Sequence, residues 1–153
     1  MLPASSHALS TDKDQPIQLE ADSVEIDEAK GISIYQGNVH ITQGSLVIWA
    51  DKMWIHRNPK GIEKIITEGN PTRFRQLMDN SPEEVRGSAK KAELYLETDE
   101  LRLSQDARIE QGKDSFVSDR IIFLRSKSQV KAGSSAQGKE RVKVVIEPAK
   151  TVQ

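Results

Sequence analysis

Three histidines are the side chains of this sequence best suited to hold a metal ion or to move a proton. His7 lies near the start of the chain, whereas His40 and His56 occupy outward positions of segments that alternate like strands. A zinc site needs about four converging ligands, usually histidine and cysteine, and the sequence has no cysteine. We therefore predict that the strand histidines face solvent and that the protein uses no metal or cofactor.

A glycine-rich segment, GSSAQGKE at residues 133–140, matches the beginning of the phosphate-binding loop Gly-x4-Gly-Lys. Glu140 stands where that motif has the serine or threonine that binds Mg²⁺. A phosphate loop must also lead into a helix, whose first N–H groups hold the phosphate, but residues 141–148 alternate like a strand. We interpret the segment as a hairpin loop and expect no use of ATP by this chain.

Carboxylates are the remaining candidates for catalysis, and several occur close together early in the sequence. Alternation places them on the solvent side of predicted strands, where a hydrated surface accounts for them. The sequence has no Gly-x-Ser-x-Gly, His-Glu-x-x-His or calcium-loop motif. We predict that the protein is not an enzyme. The acidic residues concerned are Glu20, Asp22, Glu25, Asp27 and Glu28.

Residues 127–143 form a basic segment with five lysines and arginines and one acid, Glu140. Guanidinium and ammonium groups at this density are suited to bind phosphates on a lipid headgroup. The same charges would also keep a terminal strand pair soluble and protect its edge from aggregation. The sequence leaves both interpretations open.

These candidates lie on a nearly continuous series of short strands. From Pro16 onward the apolar residues recur at every second position, and Gly, Asn and Pro signals punctuate the series. About fifteen strands without a convincing helix predict an all-β sandwich, barrel or roll. The 153 residues suffice for one domain, and a net charge of −1 gives no bulk electrostatic reason to bind nucleic acid.

An internal repeat is visible when the chain is shifted by 68 residues. The shift sets Gln43-Gly44 on Gln111-Gly112 and Ala50-Asp51-Lys52 on Ser118-Asp119-Arg120. In both copies the apolar row steps by two residues and then once by three, as one extra residue in a β-bulge would produce. The sequence therefore predicts two similar halves whose inward row continues through a bulge.

That inward row leaves Trp49 and Trp54 on the outer face of the sheet. A pair of exposed tryptophans is one form of contact site. The alternative is two half-covered surface aromatics that pack on neighbouring strands. The sequence does not decide between these interpretations.

The two ends of the chain are expected to lie outside the domain. Small residues flank His7 in the pattern of a signal-peptidase site, so we interpret residues 1–13 as a leader, either the remnant of an export signal behind an added Met1 or an arbitrary flexible segment. We place a single domain at residues 14–148 and a flexible tail at 149–153. The absence of cysteine fits an oxidising compartment and fits a reducing one nearly as well.

Four blocks of sequence, taken together, resemble the OstA-like family of periplasmic lipopolysaccharide-transport proteins, the LptA family. Each block is weak alone, but the four keep their order and spacing over residues 14–148. The blocks are DQPIQLEAD (14–22), GNVHITQGSLVIWADKM (37–53), GNPTRFRQ (69–76) and KERVKVVIEP (139–148).

The resemblance implies an open, V-shaped antiparallel β-jellyroll of about 16 short strands, whose apolar groove shields the acyl chains of lipid A. It implies a periplasmic location and a bridge in which protomers stack head to tail. The partners would be lipopolysaccharide, an LptC-like protein at the inner membrane and an LptD-like protein at the outer membrane. ATP hydrolysis would belong to a separate transporter.

Residue by residue, the resemblance assigns a lipid-binding groove and two protein-docking edges. The groove residues are Ile17, Leu19, Ile26, Val39, Ile41, Leu46, Ile48, Phe74, Leu94, Leu96, Ile109, Phe116 and Phe123. The docking-edge residues are Ile17, Gln18, Leu19 and Glu20 at one edge and Val142, Val144, Val145 and Ile146 at the other.

Two other functions are compatible with an aliphatic inward row. One is a closed β-barrel that carries a small apolar ligand, which predicts a sealed sheet and a monomer. The other is a structural β-protein that assembles with itself and binds no lipid. The open groove predicts free sheet edges and captured lipid.

Overall fold

Alternation of apolar and polar residues produces ten β-strands in the computed structural model, which describes residues 12–78, 84–127 and 129–148. Six of the strands are long and four are short. The strands are β1 (Gln18–Glu20), β2 (Ser23–Asp27), β3 (Ile32–Gln43), β4 (Leu46–Asn58), β5 (Gly61–Leu77), β6 (Glu84–Tyr95), β7 (Glu100–Gln111), β8 (Asp114–Leu124), β9 (Gln129–Ala132) and β10 (Lys143–Val145). In this part of the chain, no helix is long and apolar enough to span a membrane.

All ten strands belong to one antiparallel sheet, because each long strand pairs with the next one along the chain. The order is β1-β3-β4-β5-β6-β7-β8-β10, with β2 also on β3 and β9 also on β8. The sheet does not close on itself, so the short strands leave a free edge at each end. The predicted all-β, open antiparallel fold is confirmed.

A line of register irregularities crosses the six long strands and divides the sheet. We call the two parts half-sheet A and half-sheet B. Half-sheet A contains residues 32–36, 52–58, 61–68, 91–95, 100–104 and 120–124 with β2 and β9. Half-sheet B contains residues 39–43, 46–50, 72–77, 84–88, 107–111 and 114–118 with β1 and β10.

The line divides each of the six long strands into two segments. These twelve segments and the four short strands make sixteen, in agreement with the expected number. Bulges bend strands and increase their twist, so a row of them allows one sheet to fold over on itself. The apolar faces of the two half-sheets thereby pack together as a two-layer core.

The inward row behaves as the sequence predicts. Along β4 the buried residues alternate up to Ala50 and then step by three to Met53. Along β8 the buried row likewise steps from Ser118 to Ile121. The row therefore stays on one face through the irregularity, which leaves Trp49 and Trp54 on the outer face, each half-buried.

The repeat of 68 residues is present in the backbone as well. Ile41 pairs with Ile48 in the first copy, and Ile109 pairs with Phe116 in the second. Gly37 and Asn38 have positive φ angles of 83° and 47°, and the equivalent Gln105 and Asp106 have 67° and 57°. The left-handed backbone that bends the strand is thus repeated although the side chains differ.

Two local expectations were wrong. Gly37-Asn38, one of the glycine and asparagine signals interpreted as turns between strands, is a bulge inside β3, because the chain continues in the same direction after two left-handed residues. Residues 133–140 are not a hairpin loop, because β9 and β10 both pair with β8 and not with each other. They connect β9 to β10, which pair with different parts of β8, and they include a short 3-10 turn at Gly133–Ala136.

The described residues include the end of the predicted leader. Asp12–Asp14 forms a 3-10 turn, and Asp12 is buried, although the predicted domain begins at residue 14. Residues 1–11, which hold His7, and the tail at 149–153 lie outside the described residues.

Candidate functional site

The inner face of the folded sheet collects nearly all the residues assigned to the groove. Eight of the thirteen are buried, with exposed fractions of 3% or less, and four more are half-buried against them. The buried residues are Val39, Ile41, Leu46, Ile48, Phe74, Leu94, Ile109 and Phe123. The half-buried residues are Ile17, Leu19, Leu96 and Phe116. We call this apolar interior the trough.

Ile26 is the exception, because 63% of its surface is exposed. It pairs with Ser33, which is buried, so its side chain is on the inner face as expected. However, β2 lies at the free edge of half-sheet A, where the opposite half-sheet does not cover it. Ile26 instead borders a cleft of about 600 Å³ between the β2–β3 turn and Pro59.

In this chain alone the middle of the trough is filled by its own side chains. The rings of Phe74 in half-sheet B and Phe123 in half-sheet A stack with centroids 6.1 Å apart. Gly87, opposite Phe74, makes room for that ring, because a Cβ atom there would lie 2.3 Å from Phe74 Cε1. Space inside the trough would therefore arise only where the two half-sheets separate.

The strand ends of the two half-sheets form the lips of a mouth, and Arg125 bridges them. Arg125 follows β8 on the lip of half-sheet A, where its Nη1 donates to Asp99 Oδ1 at 2.8 Å. Its Nε donates to Gln76 Oε1 and its Nη2 to Gln43 Oε1, each at 3.1 Å, and both glutamines lie on the lip of half-sheet B. We call this hydrogen-bonded group the clasp.

Asp12 completes the clasp from the side of half-sheet B. Its carboxylate accepts hydrogen bonds from Ser45 Oγ and from Gln76 Nε2, the latter at 3.4 Å. Gly44 permits this approach, because it has a φ of 59° and a Cβ atom there would lie 2.2 Å from Asp12 Oδ1. The segment before β1 therefore contributes to closing the mouth.

Burial lowers the pKa of Arg125 from its ordinary value, and the carboxylates of Asp99 and Asp12 oppose that shift. The guanidinium remains charged at neutral pH, because the ordinary pKa of arginine is far above it. A charge with 4% exposure is tolerated only when its donors are satisfied, and the clasp satisfies them. The closed mouth thus depends on a buried polar network and not on apolar packing alone.

Sequence reasoning missed the clasp. Arg125 is 49 residues from Gln76 and 82 residues from Gln43 in the sequence, so no local pattern connects it with either partner. The only available signal was that Gln43 and Gln76 fall on the inward parity of their strands, where an apolar residue is expected.

The two free edges carry the residues assigned to docking. In β1, Gln18 and Glu20 are exposed, and in β10 and the residue after it Val144, Val145 and Ile146 are exposed. Val24 in β2 is also half-exposed at the first edge. Each edge therefore combines unpaired backbone groups with exposed apolar side chains.

Asp119 holds the chain in place beside β10. Its carboxylate accepts the backbone N–H groups of Lys139 at 2.8 Å and Glu140 at 3.3 Å. The hydrogen bond from Lys139 is the main reason that the pKa of Asp119 lies below its ordinary value. The segment with the incomplete phosphate motif thus positions the second edge.

Among the described residues, no group of three or more histidines, aspartates and glutamates is placed to hold a metal ion. His40 stacks on Trp49 with ring centroids 5.8 Å apart, and Arg75 Cζ lies 5.7 Å from the Trp49 centroid. Trp54 carries Lys52 Nζ at 4.7 Å over its ring. The tryptophans are thus half-covered by outer-face neighbours.

Comparison with known families matches residues 18–129 to the family described as "LptA/(LptD N-terminal domain) LPS transport protein". LptA of Haemophilus influenzae is 33% identical over 153 residues, which cover 98% of this chain and 87% of that protein. LptA of Escherichia coli K12 is 33% identical over 144 residues, which cover 93% of this chain and 76% of that protein. Both are named lipopolysaccharide export system proteins.

A solved structure is similar over most of the fold. The crystal structure of LptH from Pseudomonas aeruginosa superposes with a TM-score of 0.82 and 25% sequence identity. The match covers 90% of this chain and 99% of that chain. Its description calls LptH the LptA-homologous periplasmic component of the lipopolysaccharide transport device.

The clasp predicts a large effect of one substitution on stability. Arg125→Met should lower the free energy of unfolding by about 3 kcal/mol, because it leaves the Asp99 carboxylate buried without its charged partner. Arg125→Met combined with Asp99→Asn should recover much of the loss, since asparagine is neutral and tolerates the φ of 55° at this position. Urea denaturation measures both. Equal stability of the single variant and the unmodified protein would contradict the assignment.

Proposed function

This chain belongs to the LptA/LptD N-terminal-domain family of lipopolysaccharide transport proteins, and we propose that it carries lipopolysaccharide by holding the acyl chains in the trough. The observation that supports this site is a single continuous apolar face on an open sheet. In the proposed role, the acyl chains enter between the lips, while the sugars remain in water outside the mouth.

Partial burial suits a protein that must pass its cargo on. Each methylene removed from water contributes about 0.8 kcal/mol, so several acyl chains sealed in a closed cavity would be released very slowly. When no lipid is bound, the protein's own side chains fill the interior. The net free energy gained on binding is then smaller, because the lining residues must separate before lipid contacts them. The transfer is then reversible at each step.

The clasp determines how often the mouth opens in this proposal. Binding to a state that is only fractionally populated weakens the apparent affinity by that fraction. Parting the lips breaks the two hydrogen bonds that Arg125 donates to Gln76 and Gln43, whereas its bond to Asp99 lies within the lip of half-sheet A. In this proposal Arg125 regulates access to the trough, and Asp99 holds its guanidinium in position.

We propose the periplasm as the location, and a bridge built by head-to-tail stacking as the working assembly. The charges of the two free edges support stacking. The first edge exposes the acids Glu20, Glu25 and Asp27, and the second edge exposes the bases Lys131, Arg141 and Lys143. Addition of strand to strand across these edges would pair their free backbone groups and cover Ile26 and Ile146.

An LptC-like protein would meet one terminal edge of the bridge, and an LptD-like protein would meet the other. The same strand addition that joins two copies serves both contacts, because jellyroll edges present similar backbone groups. The proposed role is transport without catalysis.

Photo-crosslinking tests the trough. A crosslinking amino acid at Ile17 or Phe116, which line the trough but are only half-buried, should yield adducts with lipopolysaccharide. The same amino acid at Ile66, next to the buried Ile65 but on the outer face of half-sheet A, is the matched control and should yield none. Equal labelling at Ile66 would contradict the assignment of the inner face, and no labelling at all would favour a structural protein that binds no lipid.

The rate of capture tests the clasp. With the crosslinking amino acid at position 116, the Arg125→Met variant should label lipopolysaccharide several-fold faster than the protein with Arg125, because losing the bonds to Gln76 and Gln43 lets the lips separate more often. Arg102→Met removes an arginine that pairs with Glu100 on the outer face and should leave the rate unchanged. The Arg125→Met, Asp99→Asn double variant provides the same test if the single variant does not fold. An unchanged rate in a folded clasp variant would contradict gating.

Light scattering tests the edges. The average molar mass in solution should rise with protein concentration. In the double variant Val145→Asp, Ile146→Asp it should stay near that of a monomer, because the added negative charges oppose docking onto the acidic first edge. Leu77→Asp, which changes an exposed apolar residue away from both edges, is the control. Moderate salt should weaken the association. A chain that remains monomeric at all concentrations would contradict head-to-tail stacking.

A further inference from the structure

Four arginines lie together on the outer face of half-sheet B, on the side opposite the trough. Arg73 and Arg75 belong to β5, Arg86 to β6 and Arg108 to β7, and all four are exposed. Their strands are neighbours in the sheet. We call this group, with Trp49, the arginine patch.

The register places like charges directly opposite one another. Arg75 pairs with Arg86 across β5 and β6, and a pair of like charges at such positions is destabilising. Arg73 in β5 and Arg108 in β7 both pair with Ser88, which lies between them in β6. Such an arrangement is stabilised when an anion binds between the guanidinium groups.

The acids of the patch neutralise only part of this charge. Glu110 contacts Arg108 Nε at 2.9 Å and Arg86 Nη2 at 3.6 Å. Within the described residues, neither Arg73 nor Arg75 forms an ion pair, and Arg75 stacks near the Trp49 ring. The donors of Arg73 and Arg75 are thus available to an external anion.

Two clefts lie between these side chains. One of about 340 Å³ is bordered by Trp49, Arg73, Arg75 and Arg86 and by one acid, Glu84. The other, of about 210 Å³, is bordered by Arg73, Arg86 and Arg108 and by one acid, Glu110. The clefts share Arg73 and Arg86, so a ligand with more than one anionic group can occupy both.

The patch lies close to the mouth. Arg75 and Arg86 are each two residues from the end of the strand, at Leu77 and Glu84, or about 7 Å at ~3.3 Å per residue. Gln76, between Arg75 and Leu77, points inward to the clasp. The patch is therefore within reach of a headgroup whose acyl chains pass between the lips.

We propose that the arginine patch binds the phosphorylated saccharide of lipopolysaccharide on the outside of the sheet while the acyl chains occupy the trough. This inference rests on the proposed function for its ligand. The charge complementarity, the opposed pair Arg75 and Arg86 and the position beside the mouth all favour a phosphate-bearing headgroup over an uncharged sugar. The patch orients each molecule with its sugars toward one side of the bridge.

The test uses deacylated, phosphorylated lipopolysaccharide oligosaccharide, which has no acyl chain for the trough. Titration is followed by the fluorescence of Trp49 in a Trp54→Phe protein, where Trp49 is the one remaining tryptophan. Arg73→Gln with Arg75→Gln should weaken binding at least tenfold, and added salt should weaken binding to the unmodified patch. Removal of the phosphates from the oligosaccharide should have an effect as large as that of the double substitution.

The matched control is Lys64→Gln with Arg102→Gln, which removes the same charge from the outer face of half-sheet A, near Tyr95. The proposal fails if this control weakens binding equally, if the dephosphorylated oligosaccharide binds as well, or if inorganic phosphate alone binds as tightly. It also fails if the patch substitutions abolish self-association and leave oligosaccharide binding intact, since the patch is then a protein contact. Photo-crosslinking from the trough is unaffected by any of these results, so failure of the trough and failure of the patch are separable.

Discussion

One apolar face without a separate covering layer is the constraint from which this architecture follows. The six long strands alternate so regularly that their apolar side chains all emerge on one side of a single sheet. The described residues provide no long helix and no second sheet to cover that side. The sheet therefore covers itself, and the irregularities at the middle of each long strand allow it to fold.

Folding over a line of bulges leaves a seam, and the composition of that seam differs from the interior. The middle of the trough is aliphatic and aromatic, whereas the lips meet through Arg125, Asp99, Gln43 and Gln76. A buried ionic network contributes little net stability compared with apolar packing of the same volume, but it is satisfied in only one arrangement. A polar seam thus fixes how the lips meet when the trough is empty without making their separation prohibitively unfavourable.

The sequence predicted the parts of the structure that repeat locally. The inward row through Ile48, Ala50 and Met53 follows from alternation, and the second copy follows from the shift of 68 residues. The clasp could not be predicted, because Arg125 meets Gln43 only after the sheet has folded. The burial of Asp12 was missed for the same reason, since its partner Gln76 is 64 residues away. The exposure of Ile26 depends on which strand is at the edge, and alternation does not contain that information.

The free edges and the seam solve related problems with different chemistry. A closed barrel would pair every backbone group and remove both edges, but it would also fix the diameter of the interior. An open sheet keeps its interior adjustable at the seam and leaves unpaired strands at either end. Those strands are short and carry opposite charges, acids on β1 and β2 and bases on β9 and β10, so each edge repels its own kind and attracts the other. In the proposed head-to-tail assembly, this charge difference would turn edges that are prone to aggregation into a contact that forms in one direction only.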